Sequence, residues 1–125
     1  MTAAAAIAAC VLLGALAVFQ ALLVCRFPLG RFAWGGQHDF LPTRLRLGSV
    51  VAIVLYVVIG WVVLARAGLL GGGHGVVRVV TWVIAGYFLL GAVGNLASRS
   101  RSERLVMTPV AVVLCSLAVT VAALG

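Results

Sequence analysis

His38 and Asp39 are the one adjacent pair of ionisable residues in this chain that could support acid–base or metal chemistry. An imidazole beside a carboxylate is half of a general base, because the carboxylate orients the ring and stabilises its charged form. The other half is missing. A closed metal site needs three or four ligands, and no Cys or second His lies nearby in the sequence. The plainer reading is that Asp39 pairs with a loop arginine and orients His38. Arg31, Trp34 and Arg46 flank the pair, and these five residues form one candidate loop site.

A second constellation is Tyr87, Gly91, Asn95 and Ser98, spaced +4, +4 and +3. That spacing puts all four on one face of a helix. They form either the hydrogen-bonding wall of a small-molecule pocket or an ordinary polar contact between helices, which in a membrane averages about 0.6 kcal/mol per bond. The remaining motifs are weaker. The glycine run at 71–75 lacks the Lys-Ser/Thr that follows a phosphate-binding loop. Cys10, Cys25 and Cys115 form no Cys-x-x-Cys pair. On one helix Cys10 and Cys25 would stand about 22 Å apart, beyond disulfide reach, so they read as small apolar packing residues. No Ser-His-Asp set, helical His pair or haem-attachment motif is present. The expectation is therefore no catalytic residue, no metal and no cofactor.

These residues must be positioned by a chain of 125 residues that is 65% hydrophobic and 9% charged. Soluble domains carry about 25% charged residues, and so small a domain cannot bury this much apolar surface in water. A bilayer removes the difficulty, which makes residues 1–125 one integral membrane domain. The net charge of +7 comes from nine arginines with no lysine. They sit between apolar runs and form no basic face, which argues against nucleic acid. They fit membrane orientation and attraction to anionic headgroups.

Four apolar runs, at 2–25, 47–65, 76–97 and 105–124, are long enough to span a hydrocarbon core of about 30 Å. The first lacks the charged start of a signal peptide. No Asp or Glu falls within these four runs, whereas intramembrane carboxylates are the usual proton relays and cation sites. Ser100 and Glu103 have capping-box spacing, so helix restarts near Arg101. Pro109 is expected near the first turn of the fourth helix, at its start or at a kink. Small residues recur on one face of the first helix (Cys10, Gly14, Ala17, Ala21) and of the fourth (Ala111, Cys115, Ala118, Ala122), and such faces let helices approach closely in lipid. Gln20, the one strongly polar residue of the first run, is expected to face another helix. The loop 26–46 mixes arginines with Phe32, Trp34 and Phe40, a composition suited to the headgroup zone.

Arginine counting sets the orientation. Arg26, Arg31, Arg44 and Arg46 in the first loop and Arg99, Arg101 and Arg104 in the third share one side, against Arg66 and Arg78 on the other. The positive-inside rule places loops 26–46 and 98–104 in the cytoplasm and both termini outside a cell membrane.

The pieces Pro28-Leu29-Gly30-Arg31-Phe32-Ala33-Trp34-Gly35-Gly36, Leu41-Pro42 with Leu45-Arg46, and Gly94-Asn95 through Glu103-Arg104 to Thr108-Pro109 resemble a group of small bacterial integral membrane proteins with four predicted helices and no assigned activity. The resemblance covers most of the chain. It implies the four-helix architecture and, if the motifs mark a site, places that site at the two basic loops and the end of the third helix.

The expected fold is an all-α membrane protein, with four transmembrane helices in an antiparallel up-down bundle. The leading expectation for function is a non-enzymatic accessory or structural membrane component with a basic cytoplasmic face. It would meet lipid headgroups, a partner membrane protein or further copies of itself. The alternative is an oligomeric small-molecule or ion transporter or channel. A weaker one is a membrane enzyme using His38 and Asp39.

Overall fold

The computed structural model describes residues 2–25, 27–38, 40–70 and 75–125. Its elements are α1 (Thr2–Val24), α2 (Thr43–Arg66), α3 (Val76–Leu96) and α4 (Arg101–Leu124), with two short 3₁₀ turns, Gly30–Phe32 and Trp34–Gly36, in the first loop. All four helices are long and apolar enough to cross a membrane. At 1.5 Å per residue they measure roughly 32–36 Å, against a hydrocarbon core of ~30 Å. They alternate in direction. The first and third loops meet at one end, where the Ser100 hydroxyl donates to the Arg31 carbonyl. At the opposite end Arg66 reaches the last turn of α4. Helix α4 packs against both α3 and α1, α2 packs mainly on α1, and the α2–α3 seam is thin.

Two helices begin earlier than the apolar runs indicate. α2 starts at Thr43 rather than 47. Pro42 precedes it with φ −65, and its carbonyl accepts from the Leu45 and Arg46 amides. Proline suits a helix start because it has no N–H to leave unpaired and its φ is already helical. α4 starts at Arg101 rather than 105, capped by the Ser100 hydroxyl, which accepts from the Glu103 amide at 3.3 Å. Pro109 consequently lies in the interior of α4 rather than in its first turn. There it removes the N–H that would bond the Leu105 carbonyl. Glu103 stands in the first turn of α4, as its capping-box spacing from Ser100 implies, and is only 7% exposed.

The core is closely packed at the end away from the first loop. Ala5, Ala6, Ala9 and Leu13 of α1 meet Val63 of α2, Ile84 and Ala85 of α3, and Ala118 and Val121 of α4. A smaller cluster, Leu23, Ala33 and Leu41, seals the loop end. Val11, Val57, Val76 and Leu90 stand on the outer surface, as lipid-facing residues do. On α4 the small residues Ala111, Ala118 and Ala122 are buried. On α1 the corresponding stripe turns partly outward, with Gly14 and Ala21 exposed. The inward face of α1 is instead Ala5, Ala6, Ala9, Leu13, Gln20 and Leu23, with its alanines allowing close approach at one end and the polar Gln20 kept from lipid at the other.

Three arginines serve helix ends rather than headgroups. The Arg46 Nε donates to the Val24 carbonyl at 2.9 Å, at the C-terminus of α1. Arg66 donates to the Ala122 carbonyl at 2.9 Å, in the last turn of α4. Arg104 donates to the Ser98 carbonyl at 3.4 Å, just past α3. The last carbonyls of a helix lack intrahelical donors and carry partial negative charge, so a guanidinium satisfies both needs. Arg31, Arg44, Arg99 and Arg101 remain exposed at the loop end.

Candidate functional site

A cavity of about 190 Å³ opens inside the loop end of the bundle. All four helices and the first loop line it: Leu16, Phe19 and Gln20 from α1, Tyr56 from α2, Tyr87, Phe88, Gly91 and Asn95 from α3, and Glu103, Met107, Val110, Ala111 and Leu114 from α4. Phe32, Ala33 and Trp34 close it from the loop. From Glu103 to Leu114 it follows α4 for about 16 Å, about half the length of the helix. Beyond Leu114 the packed core begins, so the cavity is blind. For scale, an apolar cavity of about 150 Å³ accommodates benzene.

The roof is held in place by an unusual backbone. Trp34 has φ 53, and Gly35 and Gly36 follow with φ 79 and 71. A bulky residue in the left-handed region is strained, and it persists only where its surroundings hold it there. Several contacts do so. The Trp34 indole Nε1 donates to Ser49 Oγ at 3.3 Å. Gly48 lets the ring lie on α2, since a Cβ there would stand 2.8 Å from the indole Cη2. Gly36 lies against Ser100, where an added Cβ would overlap the serine side chain. The Gly35 amide donates to a Glu103 carboxylate oxygen at 3.3 Å. In a full capping box the Glu103 side chain would turn back to the Ser100 amide. Here the Ser100 amide donates to Ser98 Oγ instead, and the carboxylate is diverted to the roof.

The polar groups inside are incompletely satisfied. Gln20 is 8% exposed. Its Nε2 lies 3.5 Å from the Tyr56 hydroxyl, and its Oε1 is buried without a hydrogen-bond partner. An amide can be placed either way round, but in both placements one of its two polar atoms is left without a hydrogen-bond partner. Asn95 Nδ2 donates to the Met107 carbonyl at 3.4 Å and ties α3 to α4. Glu103 accepts the one bond from Gly35, and among the described residues no guanidinium comes within 4.0 Å of it. Burying a charge without a partner costs free energy.

The residues singled out in the sequence divide accordingly. Tyr87, Gly91 and Asn95 stand on the cavity wall, while Ser98 lies outside it and accepts from Ser100. Of the loop residues, Trp34 reaches the cavity. Arg31 is exposed and stacks over the Phe32 ring, 4.9 Å from its centroid. Arg46 closes α1. His38 is exposed and apart from the cavity. Asp39 lies outside the described residues, as do His74 and the glycines of 71–73. Among the described residues no three His, Cys, Asp or Glu side chains stand together as metal ligands. Two residues that matter most here, Gln20 and Glu103, were not among the site candidates. The available signals were that Gln20 is the lone strongly polar residue of its run and Glu103 the lone Glu of the chain. No family model, no curated protein and no solved structure matches the chain.

Proposed function

We propose that this small polytopic membrane protein binds a small molecule in the cavity at its loop end. The observation that carries the proposal is the cavity itself, in whose lining the four helices bring together the polar side chains Gln20, Tyr56, Tyr87, Asn95 and Glu103. The blind end favours a binding or carrier role over a fixed pore, since a pore needs a polar path through both leaflets. The membrane is a cell membrane, and the loop end faces the cytoplasm by the positive-inside rule, with both termini outside. The exposed Arg31, Arg44, Arg99 and Arg101 then meet anionic headgroups.

Gly91→Leu tests the pocket. A Cβ at Gly91 meets nothing within 4 Å, so a leucine there fills space without forcing the backbone. It also removes a helix-interior glycine, worth up to ~1 kcal/mol. Native mass spectrometry of the protein, gently extracted from its own membranes, should show a bound small molecule in the wild type. The Gly91→Leu variant should keep its helicity and lose that molecule. A wild-type protein that carries nothing but loosely held lipid, or a variant that retains the ligand unchanged, would sink the proposal.

A second reading is an accessory component that docks a partner's membrane helix. It is favoured by an apolar groove between α1 and α2 lined by Cys10, Gly14, Ala17, Gly60 and Trp61. The same mass measurement separates the two, because an accessory protein leaves the membrane together with another chain.

A further inference from the structure

We infer that the molecule this cavity takes is a small lipophilic organic cation, an ammonium on an aromatic or alkyl body, with the Glu103 carboxylate as its counter-ion. The inference rests on the pocket reading above and adds the chemistry of the occupant. Three observations carry it. First, the one ionisable carboxyl among the described cavity residues has acceptor capacity left. Glu103 offers a buried carboxylate that receives one backbone N–H. The Tyr56 and Tyr87 hydroxyls can donate as well as accept and carry no charge. A buried carboxylate with acceptor capacity to spare calls for a guest that donates. Second, the charge on the cavity wall is negative although the chain carries +7. Among the described residues no arginine lines the cavity; Arg46 and Arg104 bond carbonyls at helix ends, and Arg31, Arg44, Arg99 and Arg101 are exposed. An anionic guest would find no cation inside. Third, the walls carry Phe19, Trp34, Tyr56, Tyr87 and Phe88. Aromatic faces attract cations through their quadrupole, most strongly where water is excluded. A guest with a positive head and an apolar body would satisfy Glu103 near the roof and fill the space toward Leu114.

The test uses the whole protein in lipid nanodiscs and three probes of similar shape: phenethylammonium, 2-phenylethanol and phenylacetate. Binding is read by isothermal titration calorimetry, with Gly91→Leu in the same discs as the control for partition into lipid. Both the ammonium and the alcohol can donate to the carboxylate, but only the ammonium adds an ion-pair attraction, and it should bind about 10-fold tighter than the alcohol or better. Phenylacetate should bind weakest. Glu103→Gln keeps an acceptor for the Gly35 amide, and it should bring the ammonium down to the affinity of the alcohol while weakening the alcohol far less than the ammonium. Tyr87→Leu, at a half-exposed rim position, retains the carboxylate and should weaken the ammonium more than the alcohol even if Glu103→Gln does not fold. If the alcohol or phenylacetate binds as tightly as the ammonium, and Gly91→Leu abolishes that binding, the pocket stands and the cation assignment falls. An ammonium preference that survives both Glu103→Gln and Tyr87→Leu overturns the assignment as well. If none of the three probes gives binding that Gly91→Leu removes, the pocket reading and the cation assignment fall together.

Discussion

Replacing Gly36 by alanine should unseat the roof of the cavity. Gly36 has φ 71, a backbone conformation that costs an L-residue about 1–2 kcal/mol. The new Cβ would overlap the Ser100 Cβ and stand 2.9 Å from the Arg31 carbonyl oxygen. A backbone oxygen cannot swing aside like a side chain, so the two loops must separate. Separation breaks the bond between the Ser100 hydroxyl and the Arg31 carbonyl, at about 1 kcal/mol. Together these give a loss of roughly 3 kcal/mol. Equilibrium unfolding in mixed micelles, followed by helical circular dichroism, measures it. The same substitution in a Ser100→Gly background isolates the contact. With the serine side chain gone, the left-handed penalty and the Arg31 oxygen remain, and the cost should fall by about 1 kcal/mol or more. A loss below about 0.5 kcal/mol, within the range of an ordinary surface substitution, would refute the reasoning. So would a loss undiminished by Ser100→Gly.

Arg46→Met should destabilise the bundle by about 1–2 kcal/mol, because the Val24 carbonyl loses its guanidinium donor, whereas Arg44→Met at an exposed position should change stability by less than about 0.5 kcal/mol. Unfolding of the two variants side by side checks the contrast. Trp34→Phe keeps a ring on Gly48 but leaves the fully buried Ser49 hydroxyl without its indole donor, and should cost about 1–2 kcal/mol in the same assay. Cys25 is exposed at the loop end, while Cys10 and Cys115 are half-buried within the helices. In a Cys10→Ala/Cys115→Ala background, a membrane-impermeant maleimide should therefore label Cys25 only after cells are opened; labelling in intact cells would reverse the proposed orientation.

Much of the fold was legible in the residue pattern. Four apolar runs separated by arginine-bearing breaks leave few ways to satisfy the backbone in lipid other than four helices. The breaks at Pro28 and Gly35-Gly36 mark where the first loop must turn. Helix boundaries were less legible, because polar residues such as Arg44, Arg46 and Glu103 continue a helix past its apolar segment once Pro42 and Ser100 provide starts. The capping-box spacing of Ser100 and Glu103 pointed to helix near Arg101. It could not show that the Glu103 side chain would leave the box for the Gly35 amide, because that partner lies 68 residues away.

The sequence by itself determined the solvent and the class of this protein. Hydrophobic length and the placing of arginines are local quantities, and a bilayer responds to them directly. Which side chains meet inside was decided by tertiary structure alone. Gln20, Tyr56, Tyr87 and Glu103 come from four different helices, and no spacing along the chain relates them. Their meeting depends on the rotation of each helix about its axis. That rotation is set by which face buries its large residues against which neighbour, and by a glycine-bearing loop able to fold back over the end of the bundle. The arginines make the same point. Their count proposes an orientation, but only the packed bundle directs Arg46 and Arg66 to the open carbonyls of neighbouring helices and leaves Glu103 as the one carboxylate on the cavity wall among the described residues.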